Sequence, residues 1–265
     1  MKNLYLSIIA MIALVVGANS PLEAQQKEVK KAIPVAGASV LHSEIEFPVG
    51  NLRVKPTSGR TTKCIFQFRK DDWEPEVHYN KEGDEGYLKI SSEGGVNFDF
   101  DDDRHSGYEK EDQSNWGILF PSEVPHDLDI EMLAGNAKID LENSRLGDFE
   151  FSMTAGEAEI NLRNTSVPDV DFKALAGEAT LDFSGLWNND LHADIRGGFG
   201  SITIKLPSNM GVELDISGIL GDVDAPRMRK EGNTYYNKAF GETPHTLYLD
   251  VNGGIGDISV EWMDD

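Results

Sequence analysis

Apolar and polar residues alternate along most of this chain, and through its second half the alternation itself recurs every 21 residues. Ala137, Ala158, Ala179, Gly200 and Gly221 hold one position of the recurrence, and Ile139, Ile160, Leu181, Ile202 and Val223 hold the position two further on. A second set, Leu128, Phe149, Val170, Leu191 and Val212, keeps the same step. Period-two alternation sends successive side chains to opposite faces, so each copy reads as two strands. No segment carries a convincing helical stripe. A fixed period of this length predicts an all-β fold, a single-chain β-solenoid-like stack of ~21-residue two-strand repeats in which each copy leans on its neighbours. The small residues at 137, 158, 179, 200 and 221 are expected to mark a corner too tight for larger side chains.

Before the strict phase, shorter alternating runs predict strands around Ile45 and Phe47, Leu52 and Val54, Cys64 to Phe68, Val77–Tyr79, Tyr87–Ile90 and Val96–Phe100. Two stretches break the pattern. Residues 101–115 open with Asp101-Asp102-Asp103 and are too polar to bury a core, and residues 227–244 delay the last copy, whose apolar positions return 35 residues on. The expected organisation is a signal peptide over 1–24, a flexible N-terminus over 25–40, an N-terminal β region over 41–115 and the regular repeat over 116–265. The signal expectation rests on Lys2, the apolar run Leu4 to Val16, and the small residue Ala24 before Gln25. That run is short for a membrane span, and no later segment is long and apolar enough to cross a bilayer.

Charge narrows the partners. The net charge is −22, and removing residues 1–24 leaves it unchanged, because they hold one Lys and one Glu. Such a chain repels nucleic acid and anionic lipid and attracts cations and basic partners. The single cysteine, Cys64, alternates with Phe66 and Phe68 and reads as a buried thiol. The six histidines are scattered without metal-ligand spacing, and no nucleophile elbow, phosphate loop or dinucleotide fingerprint occurs. Exposed or capping roles are expected for the histidines. No cofactor is implied. Calcium is the one weak possibility, at the Asp99 to Asp103 run, which lacks the spacing of a calcium loop.

The outward positions are the candidate binding surface. Taken at the 21-residue step, they stack as Asp129, Glu150, Asp171, His192, Glu213 and Tyr248, with a companion column of Glu131, Ser152, Lys173, Asp194, Asp215 and Asp250. Asp129, Glu131, Glu150, Asp171, Asp194, Glu213, Asp215 and Asp250 are its carboxylates. Rungs ~4.8 Å apart set these charges close enough to repel.

The blocks LAGNAKIDL, TAGEAEINL, LAGEATLDFSGL and GGFGSITIKLP, preceded by FPSEVPHDLDIEM, resemble the toast-rack β-repeat domains of bacterial cell-envelope proteins. These are similar in turn to adhesin-like β-strand-repeat proteins and to the C-terminal domain of cell-wall-stress response proteins. The resemblance implies an envelope location, with a role in adhesion or envelope-stress signalling, and supplies no catalytic residue. The transmembrane helices of the stress-response members have no counterpart here. The expected function is therefore that of an exported, non-enzymatic, adhesin-like binding or scaffolding protein, in the periplasm, at the outer membrane or secreted, whose partner is an envelope protein or a glycan. The alternatives are a calcium-assisted polysaccharide-active enzyme and a cation-responsive structural module.

Overall fold

The computed structural model describes residues 26–69, 73–92 and 114–264. The expected signal peptide, the Val96–Phe100 strand and the Asp99 to Asp103 run lie outside the described residues. Among those described, the regular elements are strands, and all of them belong to one sheet. The chain runs through β1 (Lys27–Pro34), β2 (Val40–Thr57), β3 (Thr61–Phe68), β4 (Pro75–Glu82) and β5 (Glu85–Ser92). Then come β6 (Ser114–Pro121), β7 (His126–Asp140), β8 (Leu146–Asn161), β9 (Asp169–Asp182), β10 (Leu191–Phe199) and β11 (Ile202–Pro207). The last third holds β12 (Gly211–Ser217), β13 (Val223–Asp224), β14 (Arg229–Glu231), β15 (Thr234–Tyr236), β16 (Thr246–Asn252) and β17 (Ile258–Met263).

The long strands β2, β7, β8 and β9 lie parallel and side by side. Each bends in the middle. In β7 the buried positions are 126, 128, 130 and 132, and then 137 and 139. That switch from even to odd turns the inner face over between 133 and 136, so one strand supplies two limbs to a shared core. The alternation that reads as two strands per copy is, in β7 to β9, one bent strand. In later rungs the limbs are separate strands, β10 with β11, β16 with β17 and β12 with β13.

The bend is set by glycine. Gly50, Gly135, Gly156, Gly177, Gly200 and Gly256 have φ between 123° and 150°, a region that L side chains avoid. A Cβ on Gly156 would lie 1.9 Å from the Gly135 carbonyl oxygen, and one on Gly177 would lie 1.7 Å from that of Gly156. The small-residue corner therefore lies two positions before Ala137, Ala158 and Ala179, whereas Gly200 and Gly221 of the expected column do stand in it, against Gly177 and Gly256. The Ala137, Ala158 and Ala179 column also holds Leu52, Ile202, Ile258 and Val223, so it is an ordinary buried column.

The 21-residue step holds from β7 to β8 and from β8 to β9, where Leu128, Phe149 and Val170 align. It becomes 23 at the next rung: Val170 aligns with Ala193, and Leu181 with Ile204. The two extra residues lie in the turn after Phe183, where Trp187 is buried and its Nε1 donates to the Phe183 carbonyl at 2.8 Å. The final copy also departs from the expected order. β16 pairs with both β10 and β12, and β17 with both β11 and β13, so the rung made last is inserted between two made earlier.

The ends are closed by antiparallel strands. β4 covers β5, while β3 covers β6 and is covered by β1. Residues 25–40, expected to be flexible, thus contain a strand paired over its full length. At the other end the 227–244 interruption supplies β14 and β15, and β15 pairs with β12. Between β2, β3 and β6, Trp116 packs edge-on against Phe47 and Phe66 at 5.0 and 5.1 Å. Cys64 is buried as expected, and desolvation pushes its thiol up to about 12.

Candidate acidic face

The first limbs turn their outward positions to one common face. Its central column runs Glu44, Asp129, Glu150, Asp171, Asp194, Asp250 and Asp215 on β2, β7, β8, β9, β10, β16 and β12, without a break in register. Every member is a carboxylate. In-register parallel pairing makes this possible, because it sets equivalent positions of neighbouring strands side by side.

Both ends of the column are tied down. On β5, Lys89 sits opposite Glu44, and its Nζ reaches Glu44 at 2.9 Å and Glu46 at 2.5 Å. Those two carboxylates hold the ammonium well above its ordinary range, against a smaller opposing effect of burial. On β15, the Thr234 hydroxyl donates to Asp215 at 2.7 Å. In the middle, Arg196 bonds both Asp171 oxygens at 3.3 Å and also bonds Asp194, while Lys173 lies 3.4 Å from Asp171. Among the described residues, the Asp129, Glu150 and Asp250 carboxylates take part in no side-chain hydrogen bond or ion pair, although their backbones lie in the ladder. Burial above all, then the charges of Glu150, Glu131 and Glu44, pushes the Asp129 carboxyl up to about 6, with Lys173 opposing.

A parallel column further from the bend runs His42, Asp127, Asp148, Asp169, His192, Tyr248 and Glu213. His42 Nδ1 lies 2.9 Å from Asp127 and its ring stacks on Tyr87 at 4.9 Å; His192 stacks on Tyr248 at 5.0 Å. Asp148 is also raised, first by burial and then by Glu150, Asp127 and Asp169, although it accepts the Phe149 backbone N–H. The second limbs differ. There Lys138 pairs with Glu159 at 2.7 Å, Lys55 lies 3.7 Å from Asp140, and Asn51 and Asn136 join an amide ladder.

A family model described as the N-terminal domain of toast_rack matches residues 21–174 and again 147–205, more than half of the chain. The chain belongs to the toast-rack family. No curated protein matches this toast-rack chain. Among solved structures, it is similar to a provisionally named cell adhesion protein from Clostridium sporogenes, with 24% identity and a TM-score of 0.65, covering 90% of this chain and all of that one. A provisionally named adhesin from Bacteroides fragilis matches at 10% identity and a TM-score of 0.29, over 91% of this chain and all of its own. The first likeness shows the fold.

On the toast-rack scaffold, six of the eight carboxylates singled out from the sequence fall in the central column: Asp129, Glu150, Asp171, Asp194, Asp215 and Asp250. Glu131 lies in the column next to the bend, and Glu213 in the outer one beside Tyr248. The 23-residue step corrects the expected alignment. Asp194, not His192, neighbours Asp171, and Asp250 lies between Asp194 and Asp215. Glu44, Asp127, Asp148 and Asp169 were missed. The last three recur at 21 residues and were legible two positions before Asp129, whereas Glu44 lies 85 residues upstream, off the phase. Among the described residues no group of three or more His, Cys, Asp or Glu is arranged to hold a metal ion. His126 departs from the exposed role expected of the histidines: it is buried, its Nε2 has no partner, and desolvation brings it down to about 4.

Proposed function

We propose that this toast-rack protein is exported and non-enzymatic, and that it works by binding, its acidic face docking a basic partner at the cell envelope in an adhesin-like or scaffolding role. The observation that carries this reading is the unbroken column of seven carboxylates, three of them without a partner. Close like charges raise the energy of the free surface, and a cationic partner recovers that energy on docking. The export pattern at the N-terminus and the cell adhesion name of the Clostridium relative support an envelope setting, in the periplasm, at the outer membrane or outside. No helix among the described residues is long and apolar enough to cross a membrane. The rungs are read as a solenoid-like stack, a shape that offers an extended binding surface.

Capture from envelope fractions tests this. The wild-type chain is expected to retain a reproducible basic partner at low salt and release it at high salt. A variant with Asp129→Asn, Glu150→Gln and Asp250→Asn is expected to lose it while remaining folded. Equal capture by both would overturn the reading. The raised Asp129 carboxyl also favours a second reading, a cation-responsive module: millimolar calcium then raises the melting temperature of the wild type more than that of the triple variant.

A further inference from the structure

The bend carries a second surface, apart from the acidic face. Phe199, Ile255 and Leu220 occupy one register column on three successive rungs, joined by the bridges Phe199 to Ile255 and Leu220 to Ile255. They are 60%, 53% and 71% exposed, and Leu175, on the next rung, is 57% exposed. In the equivalent position β7 to β9 carry Ala134, Ala155 and Ala176. Nothing in the bend requires large apolar side chains there, since the alanine rungs make the same turn. Gly198 and Gly254, which lie between Leu175 and Ile219, keep the ridge free of polar side chains: a Cβ on Gly198 would meet Leu175 and one on Gly254 would meet Gly198. A contiguous exposed apolar strip of this kind marks an interaction surface.

Charge names the occupant. The whole chain carries a net charge of −22, so two copies repel over most of their surface. The ridge is an exception, with opposite signs on its two flanks. On the first-limb side stand Lys173 and Arg196, two positions before Leu175 and Gly198 and shared with the acidic face through their ion pairs to Asp171 and Asp194. On the second-limb side stand Glu178, Asp257 and Asp222, all exposed, with Glu178 on the same rung as Lys173. A two-fold axis parallel to the ridge exchanges the flanks. It sets Lys173 of each copy against Glu178 of the other on the same rung, and Phe199, Ile255 and Leu220 against their own counterparts. Such self-complementarity is what a symmetric homodimer needs.

We propose that this ridge is the contact by which two copies of the chain associate, side by side about a two-fold axis running along it. Sedimentation equilibrium on the purified protein, up to roughly 100 µM so as to populate a dimer of micromolar Kd, is expected to show reversible dimers. Phe199→Ser and Leu220→Ser, each at an exposed position, are expected to weaken association at least tenfold with an unchanged melting temperature. Lys173→Glu and Glu178→Lys should each weaken it alone, and an equimolar mixture of the two should recover it, because both cross-pairs are restored in the heterodimer. In Leu220→Cys a short bismaleimide should trap a dimer, since Cys64 is buried and does not compete. A monomer throughout the range, dimers indifferent to Phe199→Ser and Leu220→Ser, or dimers that Leu220→Cys fails to trap would each overturn the proposal. Envelope-partner capture by Leu220→Ser is expected to match the wild type, which separates failure here from failure at the acidic face.

Discussion

Gly156 shows how much of this fold rests on single atoms that are missing. Its φ of 136° and the Gly135 carbonyl 1.9 Å from a would-be Cβ act together. Gly156→Ala is therefore expected to cost more than about 3 kcal/mol, read from denaturant melts. Ala158→Val, two residues on, enters a column that already accepts Ile202 and Ile258, and is expected to cost about 1–3 kcal/mol through overpacking alone. Two titrating groups, His126 buried and Asp129 half-buried, act in opposite directions. His126 takes up a proton near 6.5 when unfolded but only near 4 when folded. Its contribution is therefore intact above pH 6.5 and falls away between 6.5 and 4, about 3 kcal/mol in all. His126→Gln should flatten that acid loss in melts across the same window. Asp129 is raised from 3.8 to about 6, so its penalty is full above pH 6 and is relieved as pH falls towards 3.8. Asp129→Asn is expected to raise the melting temperature at pH 7–8 and to bring no gain near pH 4.

At the scale of elements, the alternation made the strands legible and left the register partly hidden. Strand side chains repeat every two residues, so a two-residue insertion moves a rung without exchanging its buried and exposed faces. The turn holding Trp187 does this: Leu141 to Phe149 and Leu162 to Val170 each span 8 steps, whereas Phe183 to Ala193 spans 10. Apolar phase cannot distinguish 21 from 23. The glycines can, because Gly177 and Gly200 meet through their backbones and must be neighbours. The acidic face was accordingly half legible. Its members could be read from charge and alternation, while their order depended on that turn and on the placement of β16. Trp187→Ala removes the side chain that fills the longer turn and frees the Phe183 carbonyl, and is expected to cost about 3–5 kcal/mol. Thermal unfolding measures the cost.

At the scale of the whole molecule, stability passes from rung to neighbouring rung through one continuous sheet, and the antiparallel strands at each end close its edges. Charge works against this continuity, since successive first limbs bring carboxylates together while their backbones bond. Added salt is thus expected to stabilise the wild type, and less so a chain with Asp129, Glu150 and Asp250 neutralised. A chain that grew by simple addition could zip from one end to the other as it left the ribosome. This one cannot. When β12 and β13 have been made, their places against β16 and β17 are still empty, and β10 and β11 present edges that must stay open for a rung not yet synthesised. Hydrogen-exchange labelling during refolding is expected to find the amides of β7 to β9 protected before those of β12. Until β16 and β17 slide into place, two exposed sheet edges wait facing one another, and the hazard of this fold is that they find each other first.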